Sequence, residues 1–179
     1  MTEDVILVDE QDIQIGTMEK MEAHEKGLLH RAVSVFIFNS LGEVLLQRRA
    51  DTKYHSAGLW TNTACTHPFP SESALKAATR RLQEEMGMTG QLHPAFEFTY
   101  HAKLEHGLAE HEYDHVFIGI SDQKPKINPK EVGSFDYKNM IEIQHEISLH
   151  PEQFTEWFKL CFRRAFDAHV NLNSTVLTW

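Results

Sequence analysis

The sequence predicts an α+β fold, a mixed β-sheet sandwiched between α-helices in a single compact domain, on three observations. Runs alternating apolar and polar residues are joined through Gly-containing turns into hairpins. Helical stretches interrupt these runs irregularly rather than after every strand. The 179 residues, 41% hydrophobic and 24% charged, can bury one core, and no linker, repeat or low-complexity tract divides them.

Residues 5–8 and 13–16, either side of the turn-like DEQD, read as short strands, and MEKMEAHEK as a helix stopped at Gly27. HRAVSVFIFN is the best strand in the sequence; NSLG turns the chain and EVLLQRRA returns, which predicts a hairpin. Residues 51–70 have neither helical nor strand periodicity. Ser71 can then cap a helix with Glu72 in its first turn, Ala74, Leu75, Ala78, Leu82 and Met86 as its apolar stripe, and Gly87 at its end. AFEFTYHAK and EHEYDHVFIGIS are further strands, and the loop QKPKINPK leads to a strand EVGSFDYK and a short helix. Residues 153–170 place Phe154, Trp157, Phe158, Cys161, Phe162, Ala165 and Phe166 at helical spacing, a stripe that should pack on the sheet.

Lys plus Arg is 17 against 26 Asp plus Glu, a formal charge of -9, so the global field repels nucleic acid and an anionic ligand needs a local basic cluster. The apolar run 32–38 is far below the roughly 20 residues of a membrane helix, and the amino terminus (Thr2, Glu3, Asp4) is acidic. With only Cys65 and Cys161, a reduced, cytoplasmic protein is expected.

In WTNTACTHPFP, residues 60–70, Cys65 stands two places before His67; residue types alone leave it as metal ligand, reactive group or small apolar filler. In EHEYDHV, Glu110, Glu112 and Asp114 share one strand face, an arrangement suited to a cation and equally to an exposed edge. His24 and His30 taken singly read as surface or hydrogen-bonded histidines. With His67, Glu110 and Glu112 they make a mixed N and O donor set suited to Mn2+, Fe2+ or Zn2+.

Glu72, seven residues, then Arg80, Arg81, Leu82, Gln83, Glu84, Glu85, Met86, Gly87, Met88 resembles the Nudix signature. Two positions depart from it: Thr66 stands for the leading Gly and Arg81 for a metal-holding Glu, so a full hydrolytic metal cluster cannot form. Arg81 and Glu85 share a helical face, where the guanidinium can take phosphate oxygens and the carboxylate a hard cation. The wider series TMEK, EKGLLHRAVSVFIFN, LLQRRADTK, WTNTACTHP, RRLQEEMG and EHEYDHV is similar to the type 1 isopentenyl-diphosphate delta-isomerases, a family of Nudix-type fold.

That resemblance implies isomerisation of isopentenyl diphosphate to dimethylallyl diphosphate, in isoprenoid biosynthesis, by protonation and deprotonation through a tertiary carbocation. It makes Cys65 and Glu112 the proton carriers; metal coordination that withdraws electron density from Glu112 points to Glu112 as the acid and Cys65 thiolate as the base, an order that the reversibility of the reaction leaves open. Tyr100 stands beside the glutamate and Trp157 beside the allylic unit; from spacing alone Trp157 is core and Tyr100 a strand aromatic. Lys20, Arg49, Lys53 and Arg81 match the diphosphate contacts. His24, His30, His67, Glu110 and Glu112 match the ligands of a divalent metal, Mn2+ or Zn2+, and Glu85 matches the ligand of a diphosphate-bound Mg2+. The only implied partner is the small-molecule substrate, with no nucleic acid or membrane, and the chain as a monomer or weak dimer. HSAG, residues 55–58, departs from the aromatic-Pro-Gly of many relatives. Rival readings are a Nudix hydrolase of a nucleoside or sugar diphosphate and a catalytically silent binding module.

Overall fold

The computed structural model describes residues 4–176, with side chains up to 172; Thr2 and Glu3 lie outside the described residues. The strands are β1 (Asp4–Val8), β2 (Gln14–Glu19), β3 (His30–Phe38), β4 (Val44–Arg49), β5 (Trp60–Thr61), β6 (Ala64–Thr66), β7 (His93–Lys103), β8 (Ala109–Ile120) and β9 (Val132–Lys138). Between them stand the helices α1 (Lys20–Lys26), α2 (Ala74–Met86), α3 (Met140–Leu149) and α4 (Glu156–Val176).

All nine of these strands join one mixed sheet. β3 is its axis, running parallel to β8 from His30 opposite Glu112 to Phe38 opposite Ile120. Because strand side chains alternate, Phe36 and Phe38 face a core completed by Trp157, Phe158, Cys161 and Phe162 of α4. Val33, Val35 and Ile37 face the other side, against Ala77, Ala78, Leu82 and Met86 of α2. The sheet is thus covered by helices on both faces, as the sequence predicts.

The hairpin is only half as expected. Its turn forms, closed by Asn39 N–H to the Glu43 carbonyl, but β3 and β4 pair only at Phe38 opposite Val44. Beyond that point residues 60–66 enter between the strands: β5 pairs with β4, β6 pairs with β3, and β9 takes the other edge of β4. The Thr63 hydroxyl donates to the Leu45 carbonyl (2.6 Å) and accepts from Ile37 N–H (2.9 Å), while Asn62 Nδ2 donates to the Val35 and Ala64 carbonyls. Side chains here replace a missing stretch of ladder, so the segment carries no period to read.

Helix boundaries also shift. α1 starts at Lys20 because the Glu19 carboxylate caps Glu22 N–H, and it ends at Gly27 in the left-handed region (φ 61°). Ser73 rather than Ser71 caps α2, accepting from Lys76 N–H; Ser71 lies two residues earlier at φ 71°. Glu72 therefore precedes the helix instead of occupying its first turn. Leu75 is 45% exposed, and Ala77 takes the buried place expected of it. α4 begins at Glu156, with Phe154 just before it, yet every expected stripe residue is buried.

Candidate active site

A cleft of about 230 Å³ opens where residues 60–66 divide the sheet. Lys20, Ser34, Arg49, Lys53, Cys65, His67, Arg81, Glu110, Glu112 and Trp157 all line it. β6 sets Cys65 opposite Ser34 of β3, and β3 sets His30 opposite Glu112 of β8. Directly paired residues share a face, so Cys65 and Glu112 reach the cleft from the same side of the sheet, on either side of β3.

Three histidines converge beside Glu112. His24 Nδ1 donates to the Lys20 carbonyl and His30 Nδ1 to the Leu28 carbonyl, both at 2.7 Å, which turns each Nε2 inward. His67 Nε2 lies 3.2 Å from His30 Nε2 and 2.9 Å from Glu112 Oε1. The four ligand atoms are mutually within 4.8 Å. His24 is fully buried and its Nε2 has no hydrogen-bond partner. Burial lowers the His24 pKa and takes that of His67 to about 4, which favours the neutral imidazole at these two positions. Neutral imidazoles, an orphaned buried nitrogen and an adjacent carboxylate fit a divalent ion. Glu110, expected in this set, gathers instead with His24 and His55.

The Tyr100 hydroxyl lies 2.5 Å from Glu112 Oε2 and 3.0 Å from Glu110 Oε2. It stands behind the carboxylates rather than in the cleft wall. Burial pushes both carboxyls upward, and their neighbours decide the outcome. For Glu112 the hydrogen bonds from His30 and His67 outweigh burial and hold its carboxyl well below the usual range. For Glu110 the neighbouring Glu112 charge adds to burial and raises its pKa well above the usual range.

Cys65 departs from expectation. Burial pushes its thiol up to about 12, with Arg49 only partly offsetting this, so it stands as a thiol rather than the expected thiolate. Arg49 Nη1 is 3.8 Å from Sγ, and its guanidinium lies 5.4 Å from the Trp157 ring. Trp157 is both core and cleft wall, held by Nε1–H to Asn62 Oδ1 at 3.1 Å.

Of the expected cations, Lys53 and Arg81 meet at Glu131. Arg81 also bonds Glu85 Oε1 at 2.7 Å. Gln47 donates to Glu85 Oε2 at 2.7 Å, fixing a carboxylate whose pKa burial raises despite Arg81. Arg80 also borders the cleft but is engaged in a two-point bond with Glu72, and Arg48 turns to Asp51. His55, Glu131, Asn62 and Thr63 were not singled out from the sequence. HSAG, as a departure, points to the segment of His55, and Asn62 and Thr63 lie in the motif WTNTACTHP; Glu131 carries no local signal.

This arrangement is that of a NUDIX-domain protein, and residues 28–166 match that family. Solved structures share the fold: a protein from Deinococcus radiodurans superposes with TM-score 0.75 at 18% identity, covering 90% of this chain and 98% of its own. A MutT protein from Methanosarcina mazei gives 0.65 at 23% identity, covering 79% and 94%. Within that class, the chain belongs to the isopentenyl-diphosphate Delta-isomerase family. It is 54% identical to the isopentenyl-diphosphate Delta-isomerase of Pectobacterium atrosepticum over 92% of each chain. It is 50% identical to that of Serratia proteamaculans over 88% of each. Among the described residues no helix is long and apolar enough to cross a membrane.

Proposed function

We propose that this enzyme isomerises isopentenyl diphosphate to dimethylallyl diphosphate, with Cys65 and Glu112 as the two proton carriers. The carrying observation is that both line one cleft from opposite sides of β3, with Lys20, Arg49, Lys53 and Arg81 among the cations of its wall. An unactivated alkene accepts a proton at its terminal carbon, leaving a tertiary cation; loss of a proton from the neighbouring methylene completes the shift. One carrier must hold a proton as the other lacks one, and a single turnover leaves the pair in the exchanged state. The reaction is reversible, so the same two groups serve both directions.

Lys20, Arg49, Lys53 and Arg81 would bind the diphosphate, with Glu131 giving up Lys53 and Arg81 as it enters. Trp157, held by Asn62 beside the cleft, offers a ring face worth ~2 kcal/mol or more to a desolvated cation. It also keeps out water that would trap the cation as an alcohol. Tyr100 positions Glu112. Divalent ions, a Mn2+ or Zn2+ held by His24, His30, His67, Glu112 and Glu110 and a Mg2+ held by Glu85, would favour proton loss from Glu112 and offset phosphate charge.

The fold alone would also suit a hydrolase, but Arg81 stands where hydrolysis needs a carboxylate and is paired with Glu85. Incubation with isopentenyl diphosphate in D2O tests the reading: dimethylallyl diphosphate carrying deuterium is expected. Phosphate release without that product would sink it. Cys65→Ala should lose nearly all turnover while keeping fold and bound metal, and metal loss instead would make Cys65 a ligand.

A further inference from the structure

Beyond the expected ligands, one buried imidazole repeats their geometry. His55 is 5% exposed and lies in the segment 55–58. Its Nδ1 is 3.2 Å from Ser56 Oγ, and its Nε2 points inward, 3.6 Å from Glu110 Oε1. His24 and His30 show the same disposition, with Nδ1 engaged outward and Nε2 turned to the cluster. The ligand atoms of His24, His55 and Glu110 are mutually within 4.8 Å, and this group shares His24 with the group of His30, His67 and Glu112. Arg49 holds the segment in place, donating to the His55 carbonyl at 3.2 Å and the Ser56 carbonyl at 3.1 Å.

We propose that His55 is a sixth protein ligand of the metal centre, closing with Glu110 the side that His30, His67 and Glu112 leave open. The inference rests on the centre described above. His24 has one inward nitrogen and so cannot serve two ions at once, which places a single ion where the two groups meet. Tyr100 occupies Oε2 of both glutamates, leaving their Oε1 atoms for that ion. Drawn together around one ion, the two groups, which do not form a single set within 4.8 Å, would supply four imidazole nitrogens and two carboxylate oxygens and leave no position for water. Such an ion serves carboxyl electrostatics and cannot generate metal hydroxide, which suits a site where water would destroy the cation.

The test uses substrate-free full-length protein titrated with Mn2+, comparing wild type, His55→Ala and His55→Phe. His55→Phe retains a ring against Tyr54 and Trp157 and guards against a packing defect. Water-proton relaxivity reads coordinated water, and competition with a chelator reads affinity. One Mn2+ per chain with no coordinated water is expected for wild type. Both variants should admit water to the ion and hold it about ten-fold or more weakly. Wild-type relaxivity showing bound water, unchanged in both variants with unchanged affinity, would overturn the sixth ligand while leaving the centre. Two tightly held ions, one lost in the variants, would also overturn it. No stoichiometric Mn2+ in wild type would overturn the centre itself.

Discussion

Thr63→Val tests whether a single hydroxyl holds the sheet open for the cleft. The substitution keeps volume and β-branching, so packing is nearly unchanged. What is lost is the acceptor of Ile37 N–H and the donor to the Leu45 carbonyl, at 2.9 and 2.6 Å. Thr63 and Leu45 are fully buried and Ile37 is 2% exposed, so water cannot replace the hydroxyl without opening the strands. A buried backbone group left unpaired costs roughly 1–3 kcal/mol, so two together should cost about 2–6 kcal/mol. Against a typical total of about 5–15 kcal/mol, that is a large share. Urea unfolding followed by circular dichroism should show a lower midpoint with an unchanged slope, and Thr63→Ser should recover much of the loss. A Thr63→Val protein within ~0.5 kcal/mol of wild type would refute the account of residues 60–66 as side-chain-satisfied ladder.

Gly87→Ala should destabilise by about 2 kcal/mol or more in the same assay, since Gly87 is at φ 61° and an added Cβ would sit 2.7 Å from the Lys126 carbonyl oxygen. The hydrogen bond from Arg80 lowers the Glu72 pKa despite burial. As pH falls the unfolded carboxyl therefore protonates first, and the contribution present above the ordinary carboxylate pKa is lost through the folded value. Glu72→Gln should accordingly cost roughly 1–2 kcal/mol near neutral pH and progressively less as pH falls below the ordinary carboxylate range, by urea midpoints; a cost that does not fall with pH would refute the ion pair. Glu131→Gln removes the carboxylate that engages Lys53 and Arg81, so calorimetry should find inorganic pyrophosphate bound several-fold more tightly at low salt. Weaker binding would mean that Glu131 supports the cations rather than competing for them.

Much of this molecule was legible locally. Alternation over ten residues located β3, β7 and β8, and the α2 spacing placed Glu85 and Arg81 on one face, because both periods act between near neighbours. The His24 and His67 assignments came from family resemblance, since a histidine has no local mark of being a ligand. Residues 60–66 escaped because their order comes from side-chain bonds to strands far away in sequence. The Ser71 cap failed for a smaller reason: Ser73, two residues on, offers the same hydroxyl at the position where the helix geometry begins.

The sequence by itself determined the strands, the helix stripes and the chemical inventory of a diphosphate site with a cysteine and a glutamate, because these follow from residue type and spacing. Only the tertiary structure decided that β3 and β4 part to admit Asn62 and Thr63, that Cys65 is held as a thiol, that Glu131 engages Lys53 and Arg81, and that His55 turns its Nε2 toward Glu110. Each of these depends on burial or on partners far along the chain, and local spacing carries no record of either.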